Sequence, residues 1–185
     1  PRRRPRLPGA PNDDAMTQTF PAITELVPHQ APLLALEEVT SWELGQARGK
    51  LTIRDSNPFV HQGELNTVMS LDYMAQCVAA GLGMEAYISG VNVRVGMVIA
   101  CRKMEISQPV LRVGQTYTVQ AKCVRGTDAI SHYDGEMHTE GGELVATCTR
   151  TRVHGEKPPD STCGVAAGSG GASRAAAARA SGGRA

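Results

Sequence analysis

Asn66-Thr-Val-Met-Ser-Leu-Asp72-Tyr-Met-Ala-Gln76-Cys-Val-Ala-Ala-Gly-Leu-Gly-Met-Glu-Ala-Tyr87 is the stretch on which the reading of this chain turns. It predicts a helix starting at Asn66 or Thr67, with Asn66 as N-cap, running to about Ser89 before Gly90 stops it. Its surface is apolar almost all round, and Gly81 and Gly83 permit close approach, so the helix should be enclosed by other elements. One acid, Asp72, stands in this apolar company, with Gln76 one turn on and able to hydrogen-bond it. Eleven residues earlier, in a polar loop, is His61. A carboxyl and an imidazole that converge form an acid–base pair, which is the first argument for an enzyme.

Working outward, Leu33 to Ser41 and Gln46 to Arg54 read as two strands, followed by the irregular loop Asn57-Pro-Phe-Val-His-Gln-Gly-Glu. After the helix come at least four more strands: Val95 to Ser107, Thr116 to Arg125, Ala129 to Thr139 and Glu143 to Val153. In the second of these, Tyr117, Val119, Ala121 and Cys123 alternate with Thr118, Gln120 and Lys122. The turns Arg125-Gly-Thr-Asp and Glu140-Gly-Gly-Glu make the last three strands an antiparallel meander. Two strands, one buried helix and a meander form an α+β plan in which a curved antiparallel sheet wraps the helix: a hot-dog fold.

The 185 residues suffice for one domain with a proper core, and at 4% aromatic content that core must be aliphatic. We expect a basic, disordered extension over residues 1–16, the folded domain over 17–154, and a Gly/Ala/Ser-rich disordered tail over 155–185. Met16 is the expected natural start. Between Met16 and Glu156 there are fewer basic than acidic side chains, and this mildly acidic balance argues against nucleic acid as a partner. The longest uncharged helical run, Tyr73 to Met84, is too short to span a bilayer. The basic start is followed by no apolar signal region, so a cytoplasmic protein is expected. Cys77, Cys101, Cys123, Cys148 and Cys163 form no Cys-x-x-Cys pair and read as small buried hydrophobes, not disulfides or zinc ligands.

Three segments carry a family resemblance over roughly Leu26 to Val153. Val27-Pro-His-Gln-Ala-Pro-Leu-Leu-Ala-Leu-Glu-Glu-Val resembles the opening of hot-dog 3-hydroxyacyl-[acyl-carrier-protein] dehydratases. Leu71-Asp-Tyr-Met-Ala-Gln is similar to the start of their central helix, and Arg102-Lys-Met-Glu-Ile-Ser-Gln-Pro-Val-Leu-Arg-Val-Gly-Gln to the strand and turn that follow. Within that family the chain looks most like the divergent subgroup found with aryl-polyene synthesis. In this chain Pro58-Phe-Val-His61-Gln-Gly-Glu stands where most of the family has a Gly-His-Phe-Pro-Gly loop, with His61 three residues closer to the acid.

The resemblance implies elimination of water from a 3-hydroxyacyl thioester carried on the phosphopantetheine arm of acyl carrier protein, in polyene or fatty acid synthesis. His61 would take the C2 proton, and Asp72, kept protonated by Leu71, Met74 and Ala75, would protonate the leaving hydroxide. The thioester oxygen needs a donor as charge develops on it, for which the N–H groups of Thr67 and Val68 at the helix start are candidates. This chemistry requires no metal or organic cofactor. Arg102, Lys103 and Arg112 follow the position where family members meet the acidic carrier. In the family the histidine and the acid come from different protomers, which implies a homodimer or a heterodimer with a related hot-dog subunit. The rival readings are a hot-dog acyl thioesterase, with Asp72 activating water, and a non-catalytic acyl-binding subunit of a heterodimer.

Two other groupings have simpler readings. His132-x-Asp134-x-Glu136-x-His138-x-Glu140 places its polar residues on one strand face, a metal-like pattern that a solvated sheet surface explains more cheaply; Ser131 falls on the opposite face, which argues against a Ser-His-Asp triad there. His29 is expected to cap or brace the first turn. The small residues Ala75, Ala79, Ala80 and Gly83 leave room for a slender acyl tunnel or serve close helix–sheet packing.

Overall fold

Alternation of period two sorts the strand residues into rows that cross the sheet. On the inner face Ala47, Ala121, Gly135 and Cys148 lie side by side, and next to them Gly49, Val119, Met137 and Ala146, all buried. These rows belong to one six-stranded antiparallel sheet in the order β1-β2-β6-β7-β8-β4. Its strands are β1 (Glu38–Glu43), β2 (Gln46–Thr52), β4 (Gly96–Ile106), β6 (Thr116–Gly126), β7 (Ile130–Thr139) and β8 (Leu144–His154). A small second sheet pairs β3 (Glu64–Asn66) with β5 (Val110–Arg112). The computed structural model describes residues 19–92, 96–127 and 130–154. The terminal segments expected over 1–16 and 155–185 lie outside the described residues.

The central helix α2 (Ser70–Ser89) is entered through a 3₁₀ turn, Thr67–Met69, whose N-cap Asn66 accepts the Val68 N–H on its side chain. It ends at Gly90, in the left-handed conformation. Both caps are where the sequence places them. The helix packs mainly on β1, β2, β6 and β7, and buries Tyr73, Met74, Cys77, Ala80 and Met84 among others. Its last turn emerges, with Tyr87 and Ile88 exposed. A short helix α1 (Ile23–Leu26) covers the opposite flank, and contact there is close enough to need glycine. A Cβ on Gly83 would lie 2.1 Å from the Leu26 carbonyl oxygen. Gly83 therefore serves packing and not a tunnel.

Three expectations are corrected. The first strand begins at Glu38 and not at Leu33, because the backbone of residues 33–36 is bonded by a side chain instead of a neighbouring strand. Gln76 Oε1 accepts the N–H groups of Ala35 (3.0 Å) and Leu36 (3.1 Å), and its Nε2 donates to the Leu33 carbonyl at 2.8 Å. The pair β3–β5 was not legible: three-residue strands carry too little alternation to register. Of the cysteines, Cys77 and Cys148 are free and buried as expected, but Cys101 is exposed and Cys123 is disulfide-bonded. Cys163 lies outside the described residues.

Candidate functional site

On α2, Leu71, Asp72, Ala75, Val78 and Ala79 form a single stripe, the spacing at which side chains share one helix face. This stripe lines a cavity of about 450 Å³. The opposite wall consists of Tyr133 from β7, Arg150 from β8 and Gly96, Met97 and Val98 from β4, and Pro28 and His29 complete it. Most of the lining is apolar, with its polar side chains being Asp72, His29, Tyr133 and Arg150. Ala75 and Ala79 keep the helix side shallow. Met74, expected beside the acid, instead turns to the sheet, where the Cys148 thiol meets its sulfur at 3.1 Å.

Asp72 is half-buried and held from its own helix, with Gln76 Nε2 donating to its Oδ2 at 2.8 Å. This bond was expected from the i,i+4 spacing. Because Gln76 also binds three backbone groups of residues 33–36, its amide cannot rotate without breaking them, and the carboxylate orientation is fixed with it.

Among the described residues Arg150 is the largest fully buried side chain. Its Nη1 donates to the Leu71 carbonyl at 3.0 Å, bolting β8 to the residue before Asp72. Gly135 makes room for the guanidinium, since a Cβ there would stand 2.9 Å from Nη2. Burial pulls the guanidinium below its ordinary pKa, opposed by the neighbouring thiols of Cys148, Cys77 and Cys101 and by Asp72. Burial likewise pushes the Tyr73 phenol up to about 12, against a hydrogen bond from Asn57 and with a further push from Asp72. That hydrogen bond, Asn57 Nδ2 to Tyr73 Oη at 3.0 Å, ties the His61 loop to the helix.

His61 itself is exposed and is not among the residues that line the Asp72 cavity. Its backbone exchanges hydrogen bonds with Glu64 across a turn in which Gln62 and Gly63 take positive φ (52° and 78°), which places the imidazole at a loop tip. Within one chain, the imidazole in the cavity is that of His29. His29 is no cap, because the end of α1 is closed by the Val27 N–H on the Ile23 carbonyl.

The expected oxyanion donors are engaged elsewhere. The Thr67 N–H donates to the Pro109 carbonyl at 3.1 Å and the Val68 N–H to Asn66 Oδ1 at 2.9 Å. The three cations expected to meet a carrier divide between two sheets: Arg102 and Lys103 on β4, Arg112 on β5. Lys103 pairs with Glu105 (2.9 Å) and Arg112 with Glu64 (3.7 Å), all exposed. On the outer face of β7, His132 meets Thr151 at 3.1 Å, Asp134 accepts from Thr149 at 2.8 Å, and Glu136 lies between Gln120 and His138. These residues make a ladder of cross-strand contacts, while Ser131 faces inward as expected.

Part of the cavity wall is the edge strand of the sheet. β4 pairs with β8 along one side only, and it exposes Met97 (70%), Ile99 (53%), Val98 and Ile106. An eleven-residue edge strand whose first six residues, Gly96 to Cys101, carry no charge is a template for pairing with another chain. Among the described residues no helix is long and apolar enough to cross a membrane.

Known proteins agree with this architecture. The structure is similar to the dehydratase heterocomplex ApeI:P from Xenorhabdus doucetiae, with a TM-score of 0.70 at 19% identity over 75% of this chain and 94% of that one. It is also similar to the E. coli PaaI protein of the phenylacetic acid degradation operon (TM-score 0.51, 14% identity, 63% and 81% coverage). A hypothetical thioesterase with coenzyme A from Streptococcus pneumoniae scores alike (TM-score 0.51, 13% identity, 65% and 86% coverage). At these identities the likeness establishes the hot-dog fold alone. No curated protein matches the sequence. The family model for ApeP-like proteins, described as ApeP dehydratase, matches residues 21–160, three-quarters of the chain, and the chain therefore belongs to the ApeP-like dehydratase family.

Proposed function

We propose that this chain is one subunit of a two-subunit hot-dog dehydratase that eliminates water from 3-hydroxyacyl thioesters on acyl carrier protein, giving trans-2-enoyl thioesters for polyene or fatty acid synthesis in the cytoplasm. The observation that carries the reading is the carboxyl of Asp72, clamped by Gln76 in a largely apolar cavity walled in part by the free edge strand of the sheet. A hot-dog partner seated along β4 would cover Gly96, Met97 and Val98 and turn the open cavity into a closed one. Burying the exposed Met and Ile side chains of that edge would stabilise the pair by about 1.5–3 kcal/mol each.

The base comes across this interface. With a second copy of the chain as partner, it is the imidazole of His61, whose loop-tip position suits it to reach out and not inward. The imidazole takes the C2 proton and the electron pair moves toward the thioester carbonyl. As the C2–C3 double bond forms, the C3–O bond breaks and Asp72 gives its proton to the departing hydroxide, which leaves as water. Arg150, buried beside Asp72, offsets the carboxylate charge left behind. Lys103 and Arg112 would exchange Glu105 and Glu64 for carboxylates of the carrier, with Arg102 beside them.

The test is incubation of the assembled protein with 3-hydroxyacyl carrier thioesters of several chain lengths, recording the ultraviolet absorbance of the conjugated enoyl product. Enoyl formation that falls about 10²–10⁴-fold in Asp72→Asn supports the reading. Free thiol and hydroxy acid without enoyl would make the protein a thioesterase. Unchanged activity of the assembly in both His61→Ala and Asp72→Asn would make this chain a non-catalytic subunit.

A further inference from the structure

A dehydratase site needs a third group besides the acid and the base: a donor for the thioester oxygen, on which negative charge develops when C2 loses its proton. The helix-start N–H groups of Thr67 and Val68 are spent on Pro109 and Asn66. Among the polar side chains of the cavity, Asp72 is the acid, and Tyr133 is buried and already partnered. The Arg150 guanidinium has Nη1 on the Leu71 carbonyl, and its Nε and Nη2 are sealed from contact with any ligand. His29 differs. Its ring is half-buried and lines the cavity; among the described residues its Nδ1 is sealed like the two Arg150 nitrogens, but its Nε2 is not, which makes Nε2 the ring nitrogen open to a ligand.

We propose that His29 is a further catalytic residue of this site, the neutral imidazole that donates a hydrogen bond to the thioester oxygen of the substrate. The inference rests on the dehydratase reading for the identity of that oxygen, but not on the source of the base. His29 keeps its proton throughout: the base takes the C2 proton, His29 Nε2–H binds the enolate oxygen, and the electron pair returns to form C2=C3 as hydroxide leaves with the proton of Asp72. The position of the ring is set from both sides. Before it, α1 rests directly on Gly83 through the Leu26 carbonyl. After it, the N–H groups of Leu33 and Leu34 close a turn on the Gln30 carbonyl, and Gln76 binds residues 33–36. One amide thus fixes both the Asp72 carboxyl and the segment that carries His29, so acid and donor keep a constant separation.

The experiment compares the full-chain assembly with His29→Phe, which keeps a flat ring but no polar atom, and with His29→Asn and His29→Gln, which keep an amide donor. We expect His29→Phe to lower kcat about 10²–10³-fold with KM within a few-fold of the parent, the size of effect seen on removing one oxyanion donor, and either amide variant to recover at least part of it. A His29→Phe protein with unchanged kcat, or with raised KM alone, overturns the proposal while leaving the dehydratase reading intact. In parallel, the imidazole ¹⁵N resonances of the unaltered protein are recorded with an unreactive, amide-linked acyl pantetheine. A shift confined to His29 supports the proposal, and no shift at His29 overturns it. A parent protein that forms no enoyl product overturns the dehydratase reading, and the resonance experiment then decides His29 separately.

Discussion

Gln76 Nε2 lies 2.8 Å from both Asp72 Oδ2 and the Leu33 carbonyl oxygen, so one side-chain amide joins the candidate acid to a segment nearly forty residues distant in sequence. The same residue accepts two backbone N–H groups, one of them fully buried. Replacing Gln76 with Met keeps the volume and removes all four bonds. We expect a loss of about 3 kcal/mol, since each stranded buried donor costs about 1–3 kcal/mol, read as a lower urea midpoint without change in m-value. Activity should fall further than stability, because Asp72 loses its only side-chain donor among the described residues.

Gly83→Ala tests the seat of α1. With a Cβ placed 2.1 Å from a backbone oxygen, the short helix must lift away from α2. A destabilisation of about 1–3 kcal/mol is expected, accompanied by faster amide exchange over Ile23–Leu26. Gly90→Ala, at the left-handed helix end with open space around it, should instead show only the smaller cost of its positive φ.

Ile99→Arg tests the free edge. A charge introduced on β4 should convert the assembly to monomers in sedimentation velocity while leaving the far-ultraviolet circular dichroism unchanged, because Ile99 is exposed in the single chain. Enoyl formation should disappear with the assembly, and a monomer of full activity would show that the cavity is complete within one chain.

Alkaline pH should weaken the fold through two buried groups. Burial pushes the Cys77 thiol from 9.0 up to about 12 and the Tyr73 phenol from 10.0 up to about 12. Both pKa values are raised in the folded state, so the folded chain holds protons that the unfolded chain releases. Their contribution is complete below pH 9 and is lost progressively as pH rises toward 12. Denaturant midpoints measured from pH 7 to 11 should therefore fall above pH 9, and Cys77→Ala should reduce the slope.

The features legible in the sequence are those fixed by short-range geometry. Apolar continuity and two caps define α2; period-two alternation defines β6 and β7; and the Asp72–Gln76 bond follows from i,i+4 spacing. These depend on neighbours within a few residues, whose relation survives in any packing of the chain.

Only the tertiary structure decides what the long-range contacts do. The same Gln76 that orients Asp72 replaces a strand partner for residues 33–36, the Pro109 carbonyl takes the N–H of Thr67, and Arg150 is buried against the Leu71 carbonyl. His29 enters the Asp72 cavity while His61 does not. None of these follows from local pattern, because each buried polar group takes the partner that close packing brings within 3 Å, and that choice is made by the whole fold at once. The sequence by itself determined the central helix, the main strands and the candidate acid; packing determined which imidazole lines its cavity.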